Sequence, residues 1–197
     1  MATGMNYMMK PAVIIGNGPS RKDIDLDSIK ASTFGCNAIY RDHSKIDFIV
    51  AIDDGMIKEL HEHCDCSHTT LIVPPEDECW ESADYNPLAR RRSNAGMNAM
   101  LEAIKRGHNA LYCLGFDFML EDQEASANMY KGSKNYGPET ASIEEDVYNR
   151  LKYFDWFANE NPKVKFIMVI PDDSSVKQMH SPNIVAMRKS IFKDKAK

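Results

Sequence analysis

Ala12-Val13-Ile14-Ile15-Gly16-Asn17-Gly18-Pro19-Ser20 decides how this chain is read: an unbroken apolar run, mostly β-branched, passes straight into a turn carrying two glycines. A continuous run of that kind suits a strand covered on both faces, as in a parallel sheet. Gly16 and Gly18 lack a Cβ, so they can take positive φ and let backbone N–H groups approach an anion closely. Pro19 fixes the next φ, and Ser20 suits the cap of a turn or helix. A strand running into such a turn makes a phosphate or nucleotide pocket. An ordinary strand-to-helix turn without a ligand is the other reading, and the neighbouring segments must choose between them.

Those segments repeat the theme. Runs at 12–16, 33–39, 47–53, 70–74, 110–115 and 164–170 are rich in Val, Ile, Phe, Leu and Tyr and are more continuous than alternating. Between 94 and 107, Met97, Met100, Leu101 and Ile104 have helical spacing, with Ser93 or Asn94 as cap and Gly107 as stop. The stretch 143–159 repeats the pattern through Ile143, Val147, Leu151, Phe154 and Phe157, behind an acidic first turn of Glu144, Glu145 and Asp146. Strands interleaved with helices predict a single-domain, Rossmann-like, doubly wound α/β fold over 1–197, its mostly parallel sheet flanked by helices. Ligands in such folds sit beyond the carboxyl ends of the strands. Residues 16–20, Cys36-Asn37, Asp53-Asp54 and Gly115-Phe116-Asp117 all fall at predicted strand ends. The segment 121–138, rich in Gly, Asn, Ser and Lys with little periodicity, reads as a lid loop.

Composition sets bounds. A chain of 197 residues, 43% apolar and 27% charged, is that of a globular domain able to bury its own core. No apolar run approaches the roughly 20 residues of a membrane span, and residues 1–10 do not resemble a secretory signal, so the expected location is the cytoplasm. A net charge of −5 opposes binding to a polyanion, which argues against nucleic acid as the main partner. Five cysteines without an export signal are expected as reduced thiols, with Cys36 and Cys113 packed in the core. Small α/β enzymes often pair, so a homo-oligomer is also an expectation.

On these residues the chain resembles the bacterial sialyltransferases of glycosyltransferase family 42, and the related Rossmann-like domains that include the archaeal 6-hydroxymethylpterin diphosphokinases. Residues 14–20 are similar to the family's cytidine nucleotide loop, and Cys36-Asn37 to the end of its second strand, where Asn37 would contact the nucleotide. Arg92-Ser93-Asn94-Ala95-Gly96 resembles the segment that holds the cytidine monophosphate part of the donor. Gly115-Phe116-Asp117-Phe118 resembles the strand end after which a partly mobile lid closes. The resemblance implies a nucleotide-sugar-dependent, metal-independent transferase. Its nucleotide site would comprise Gly16, Asn17, Gly18, Ser20, Asn37, Asp53, Arg92, Asn94, Gly96 and Asp117. The acceptor is left unspecified.

The departures are specific. The family's general-base His would fall near Gly137, and no His lies between Asn109 and Met179. No pair of tyrosines follows Asp117 at the family's spacing, although Tyr130 and Tyr136 lie in the lid, and Asp53 stands where the transferases have Asn. In place of the missing base, Glu139, Tyr136 and Tyr130 are the candidates, Glu139 being nearest in sequence to the catalytic loop. Equally, Glu139 is a favourable charge before a helix start.

Other constellations carry two readings each. Arg90-Arg91-Arg92 before a helix start makes an anion site or a solvated basic run. Asp53 and Asp54 could hold magnesium against phosphate oxygens, or open the next helix. His61, His63, Cys64, Cys66 and His68 supply zinc-type ligands at spacings that do not match structural zinc sites, which leaves a surface turn as the alternative. Asp117 is suited to organising its turn through backbone hydrogen bonds. Two further functions remain open: a magnesium-dependent diphosphokinase of the 6-hydroxymethylpterin type, and a catalytically silent nucleotide-binding protein.

Overall fold

In the computed structural model, which describes residues 8–65, 67–75, 93–122, 128–137 and 144–195, the apolar runs pair side by side in one direction. The strands are β1 (Pro11–Ile15), β2 (Ser32–Cys36), β3 (Phe48–Val50), β4 (Thr70–Ile72), β5 (Ala110–Leu114), β6 (Lys165–Ile170) and β7 (Ile184–Arg188). They form one 7-stranded sheet in the order β4-β3-β2-β1-β5-β6-β7, every pairing parallel. Ile14 sits opposite Phe34 on one side and Cys113 on the other, which places β1 at the centre. The order runs outward from β1 in one direction and from β5 in the other, so the switch point of the topology lies between these two strands.

Both faces are covered, as the continuous runs require. Alternate residues of a strand point to opposite faces, and β1 shows it. Ala12 and Ile14 join a core with Met97, Met100 and Ala103 of α2 (Ala95–Lys105) and Phe154 and Phe157 of α3 (Glu144–Glu160). Val13 and Ile15 join a second core with Met56 and Leu60 of α1 (Asp54–His63) and Phe192 of α4 (Lys189–Lys195). Asn94 caps α2 by accepting a hydrogen bond from Met97 N at 2.9 Å, and Gly107, at φ +81, ends it. The doubly wound α/β architecture is therefore as expected.

Three differences from the sequence reading stand out. The second strand stops at Cys36 instead of reaching 39, because Asn37 turns into the left-handed region at φ +52 and opens a 3-10 turn, Asn37–Arg41. The third strand covers only Phe48–Val50 of the expected 47–53. The edge strand β7 and α4 were not anticipated, since the half-exposed Ile184–Arg188 has no continuous apolar run. Just before the expected lid, Leu120 makes an antiparallel bridge to Val176, and within the lid residues 128–137 fold as successive turns, with Met129 N donating to Asn17 O at 2.8 Å. Among the described residues, no helix is long and apolar enough to cross a membrane.

Candidate functional site

At the switch point the turns after β1 and β5 are locked together. Gly16 N donates to Leu114 O at 2.8 Å and Gly18 N to Gly115 O at 2.9 Å. A Cβ on Gly16 would lie 2.6 Å from Gly115 O, and one on Gly18 would lie 2.7 Å from the same atom. Close approach is thus what requires glycine here. The expectation of positive φ with free N–H groups is corrected on both counts: Gly18 has φ −71, neither glycine is left-handed, and both amides are bonded within the protein. Gly115 takes the left-handed φ, at +69.

Asp117 holds the first turn from across the switch point. Its carboxylate, 3% exposed, accepts from Ser20 N at 3.0 Å and from the Ser20 hydroxyl. Burial pushes its carboxyl above the usual range, opposed by the Ser20 bonds and by the charges of Lys189 and Arg21. Lys189 Nζ adds a bond to Ser20 O at 3.2 Å. Ser20 and Asp117, both named as nucleotide contacts from sequence, bond each other and shape the turn.

The polar groups beside this turn are two asparagines and a tyrosine. The Asn17 side chain is buried; its Nδ2 donates to Cys36 O at 3.2 Å and to the Tyr136 hydroxyl at 3.5 Å. Among the described residues its Oδ1 has no hydrogen-bond partner, and neither has the buried Oδ1 of Asn37. Buried amide oxygens left in that state carry a desolvation cost of about 1–3 kcal/mol each unless something donates to them. Burial pushes the Tyr136 hydroxyl far above the ordinary phenol range, the nearby Cys36 adds to this, and hydrogen bonds from Asn37, the Ala38 backbone and Asn17 oppose it. At neutral pH Tyr136 is therefore a neutral hydroxyl, suited to hydrogen bonding and poorly suited to accepting a proton.

Two charged groups escaped the sequence reading. Arg21 is 3% exposed, with Nε donating to Gly16 O at 2.8 Å and Nη2 to the Tyr130 hydroxyl at 3.3 Å. No carboxylate pairs with it among the described residues, so a buried positive charge stands behind the turn. Its position directly after Ser20 was the available signal, masked by the surrounding Lys22 and Asp23. The second is Glu59, 3% exposed on α1, which accepts from Tyr40 Oη at 2.6 Å, from Arg41 Nε at 2.7 Å and Nη2 at 2.5 Å, and from Asn135 Nδ2 at 2.7 Å. Burial works to raise its carboxyl, and the bonds from Tyr40, Arg41 and Asn135 outweigh this and lower it.

The remaining sequence candidates are spread along the same rim. Asn94 uses its side chain as the α2 cap, and a Cβ on Gly96 would lie 2.9 Å from the Phe116 ring, so both adjoin the turn after β5. Asp53 and Asp54 are exposed at the start of α1, and Asp53 O accepts from Met56 N and Ile57 N. Among the described residues, no group of three or more His, Cys, Asp or Glu side chains is arranged to hold a metal. Two exposed carboxylates alone do not make a protein cage for magnesium. Arg92, Glu139 and Cys66 lie outside the described residues.

No protein-family model and no curated protein sequence matches the chain. Its fold does match known structures. The monofunctional α-2,3-sialyltransferase Cst-I of Campylobacter jejuni aligns over 95% of this chain and 94% of its own, with TM-score 0.59 and 15% identity. The sialyltransferase CstII of the same organism, in complex with cytidine-5'-monophosphate, aligns over 89% and 86%, with TM-score 0.54 and 18% identity. CstII with the substrate analogue CMP-3FNeuAc aligns over 83% and 81%, with TM-score 0.50 and 18% identity. The chain has the fold of these sialyltransferases.

Proposed function

We propose that the protein is a sialyltransferase-like glycosyltransferase whose donor is a nucleotide-activated sugar, CMP-linked. The observation that carries this reading is the pair of buried, unpartnered amide oxygens, Asn17 Oδ1 and Asn37 Oδ1, beside the Tyr136 hydroxyl at the switch point. Two acceptors in that setting call for ligand donors, such as ribose hydroxyls or a nucleobase amine. The left-handed Asn37 supports it, because strained non-glycine backbone concentrates at ligand-binding positions. The buried Arg21, which makes no ion pair among the described residues, adds positive charge behind the turn, a field that favours an anionic tail. Fold likeness to CstII, described with CMP, favours cytidine.

In this reading Arg92, Asn94 and Gly96 hold the donor phosphate, and Asp53 faces a ribose hydroxyl. An acceptor hydroxyl attacks the anomeric carbon as its bond to the CMP phosphate breaks. The neutral Tyr136 hydroxyl donates to the departing phosphate, and Glu139 takes the acceptor's proton. Most of the rate enhancement comes from positioning.

The test is thermal denaturation with CMP, CDP, UDP, GDP and ATP, each with and without magnesium. A ligand at 100 times its dissociation constant adds about 2.7 kcal/mol. Stabilisation by cytidine nucleotides alone is expected, followed by turnover of a CMP-linked sugar that Glu139→Gln abolishes without loss of CMP binding. An ATP shift strictly requiring magnesium overturns the reading in favour of a diphosphokinase. Stabilisation by CMP without turnover of any CMP-linked sugar makes the chain a silent nucleotide-binding protein.

A further inference from the structure

The segment 128–137 is held against the candidate site by a set of contacts that converge on one buried ion pair. Arg41 leaves the 3-10 turn after β2, and Glu59 comes from α1; their side chains are 21% and 3% exposed and meet at 2.5 Å. Glu59 Oε2 reaches into the segment, accepting from Asn135 Nδ2 at 2.7 Å. Arg41 Nη1 donates to Ser133 Oγ at 2.7 Å and Nη2 to Lys134 O at 2.9 Å. The Arg41 guanidinium also lies 5.8 Å from the Tyr130 ring centroid and 6.0 Å from that of Tyr136. At the other end of the segment, Met129 N donates to Asn17 O at 2.8 Å. The segment is thereby a strap fastened at both ends. Directly after the second fastening, at Asn135, it carries Tyr136, whose hydroxyl meets Asn17.

A charged side chain taken this far out of water is weak as a stabilising device, because desolvation offsets most of the attraction. What this pair supplies is geometry: Arg41 Nε and Nη2 both grip Glu59 Oε1, which fixes the direction of the guanidinium as well as its distance. Every arm of the pair not used within it ends on Tyr40 or on the strap. We propose that Arg41 and Glu59 are positioning residues that seat the 128–137 strap, and with it Tyr136, as one wall of the nucleotide site. The proposal rests on the nucleotide-site reading above. In it the seated strap is the binding-competent arrangement, so loosening the strap weakens nucleotide affinity without any change to the residues that touch the nucleotide.

The test leaves the ion pair intact and removes the two side-chain contacts between it and the strap, keeping the Arg41 Nη2 bond to Lys134 O. Asn135 has φ +63, a conformation glycine adopts freely, so Asn135→Gly removes the bonds to Glu59 and to Gly55 O, both on α1, without adding backbone strain. Ser133→Ala removes the hydroxyl that Arg41 grips, and with it that hydroxyl's bond to Tyr130 O inside the strap. The full-length wild type, each variant and the double variant are compared by hydrogen exchange and by CMP titration calorimetry. The expected result is faster exchange confined to 128–137, with the CMP dissociation constant of the double variant raised about tenfold, or about 1.4 kcal/mol, and an unfolding midpoint without ligand lowered by the bonds lost to the charged pair. Faster exchange with unchanged CMP affinity overturns the positioning role, and unchanged exchange overturns the fastening itself. Absence of CMP binding by the wild type refutes the nucleotide reading and the strap's role in it, a result distinct from the other two.

Discussion

Replacing Gly16 by alanine tests the claim that the crevice is shaped by two turns in backbone contact. The backbone of Gly16 is not left-handed, so alanine meets no conformational penalty and the effect is steric. Its Cβ would stand 2.6 Å from Gly115 O, 3.2 Å from Gly115 C and 3.3 Å from Leu114 O, where ordinary contact begins at 3.4 Å. All three atoms are main chain and cannot swing aside, so the turns must part by the better part of an ångström. The hydrogen bonds from Gly16 N to Leu114 O, 2.8 Å, and from Gly18 N to Gly115 O, 2.9 Å, lengthen with them. Overpacking costs about 1–3 kcal/mol and each weakened bond about 0.5–1.5 kcal/mol, which gives about 2–6 kcal/mol in all. That is a large part of a typical stability of about 5–15 kcal/mol. Urea unfolding followed by circular dichroism reads it as a lower midpoint at constant m-value. Gly132→Ala is the control: at φ +84, with nothing within 4 Å of its Cβ, it meets only backbone strain, about 1 kcal/mol. If Gly16→Ala costs no more than Gly132→Ala, the close approach of the two turns is not what demands glycine.

Asn37→Gly accepts the left-handed φ that Asn37→Ala resists, so the alanine variant should be less stable than the glycine variant by about 1 kcal/mol, while both lose CMP affinity equally because both lack the amide. CMP losses that follow stability instead would assign Asn37 to backbone conformation alone. The lowered Glu59 carboxyl contributes stability that is fully present above the ordinary carboxylate range, about pH 4.3, and fades as pH falls through its lower folded value. Urea midpoints on the acid side should therefore fall more steeply for wild type than for Glu59→Gln, and parallel curves would contradict the assignment. Burial pushes the Cys36 thiol up to about 12 and Cys113 higher still, whereas Cys64 is half-buried. Mass spectrometry after brief iodoacetamide treatment of the native protein near pH 8 should find Cys64 modified and Cys36 and Cys113 intact; equal labelling would show that the sheet core is open.

The sheet's centre was legible because its residues carry their own signal. Ile14, Phe34 and Cys113 lie in continuous apolar runs, and the register only confirms that they are neighbours. The strand-end rule likewise drew attention to Asn17, Asn37 and Asp117. What the sequence hides is partnership at a distance. Arg41 and Glu59 are 18 residues apart, and Asn135 is a further 76 from Glu59, so no local spacing marks them as one network. Arg21, followed by Lys22 and Asp23, reads as part of a solvated charged turn until the fold buries it. The glycines were found for an incomplete reason: a turn motif states that a Cβ is unwelcome, but only the packed turn after β5 states why. Strand β7 escaped for the converse reason, being an edge strand whose half-exposed residues need no unbroken apolar run.

Lys189, at the start of α4, grips the carbonyls of Ser20, 169 positions earlier, and of Lys22. During synthesis the turn that begins the crevice leaves the ribosome early and waits, one of its anchors still untranslated, while the strands between are made. Its final shape waits for α4, and a nascent chain arrested before α4 should display a sheet centre without a finished binding rim.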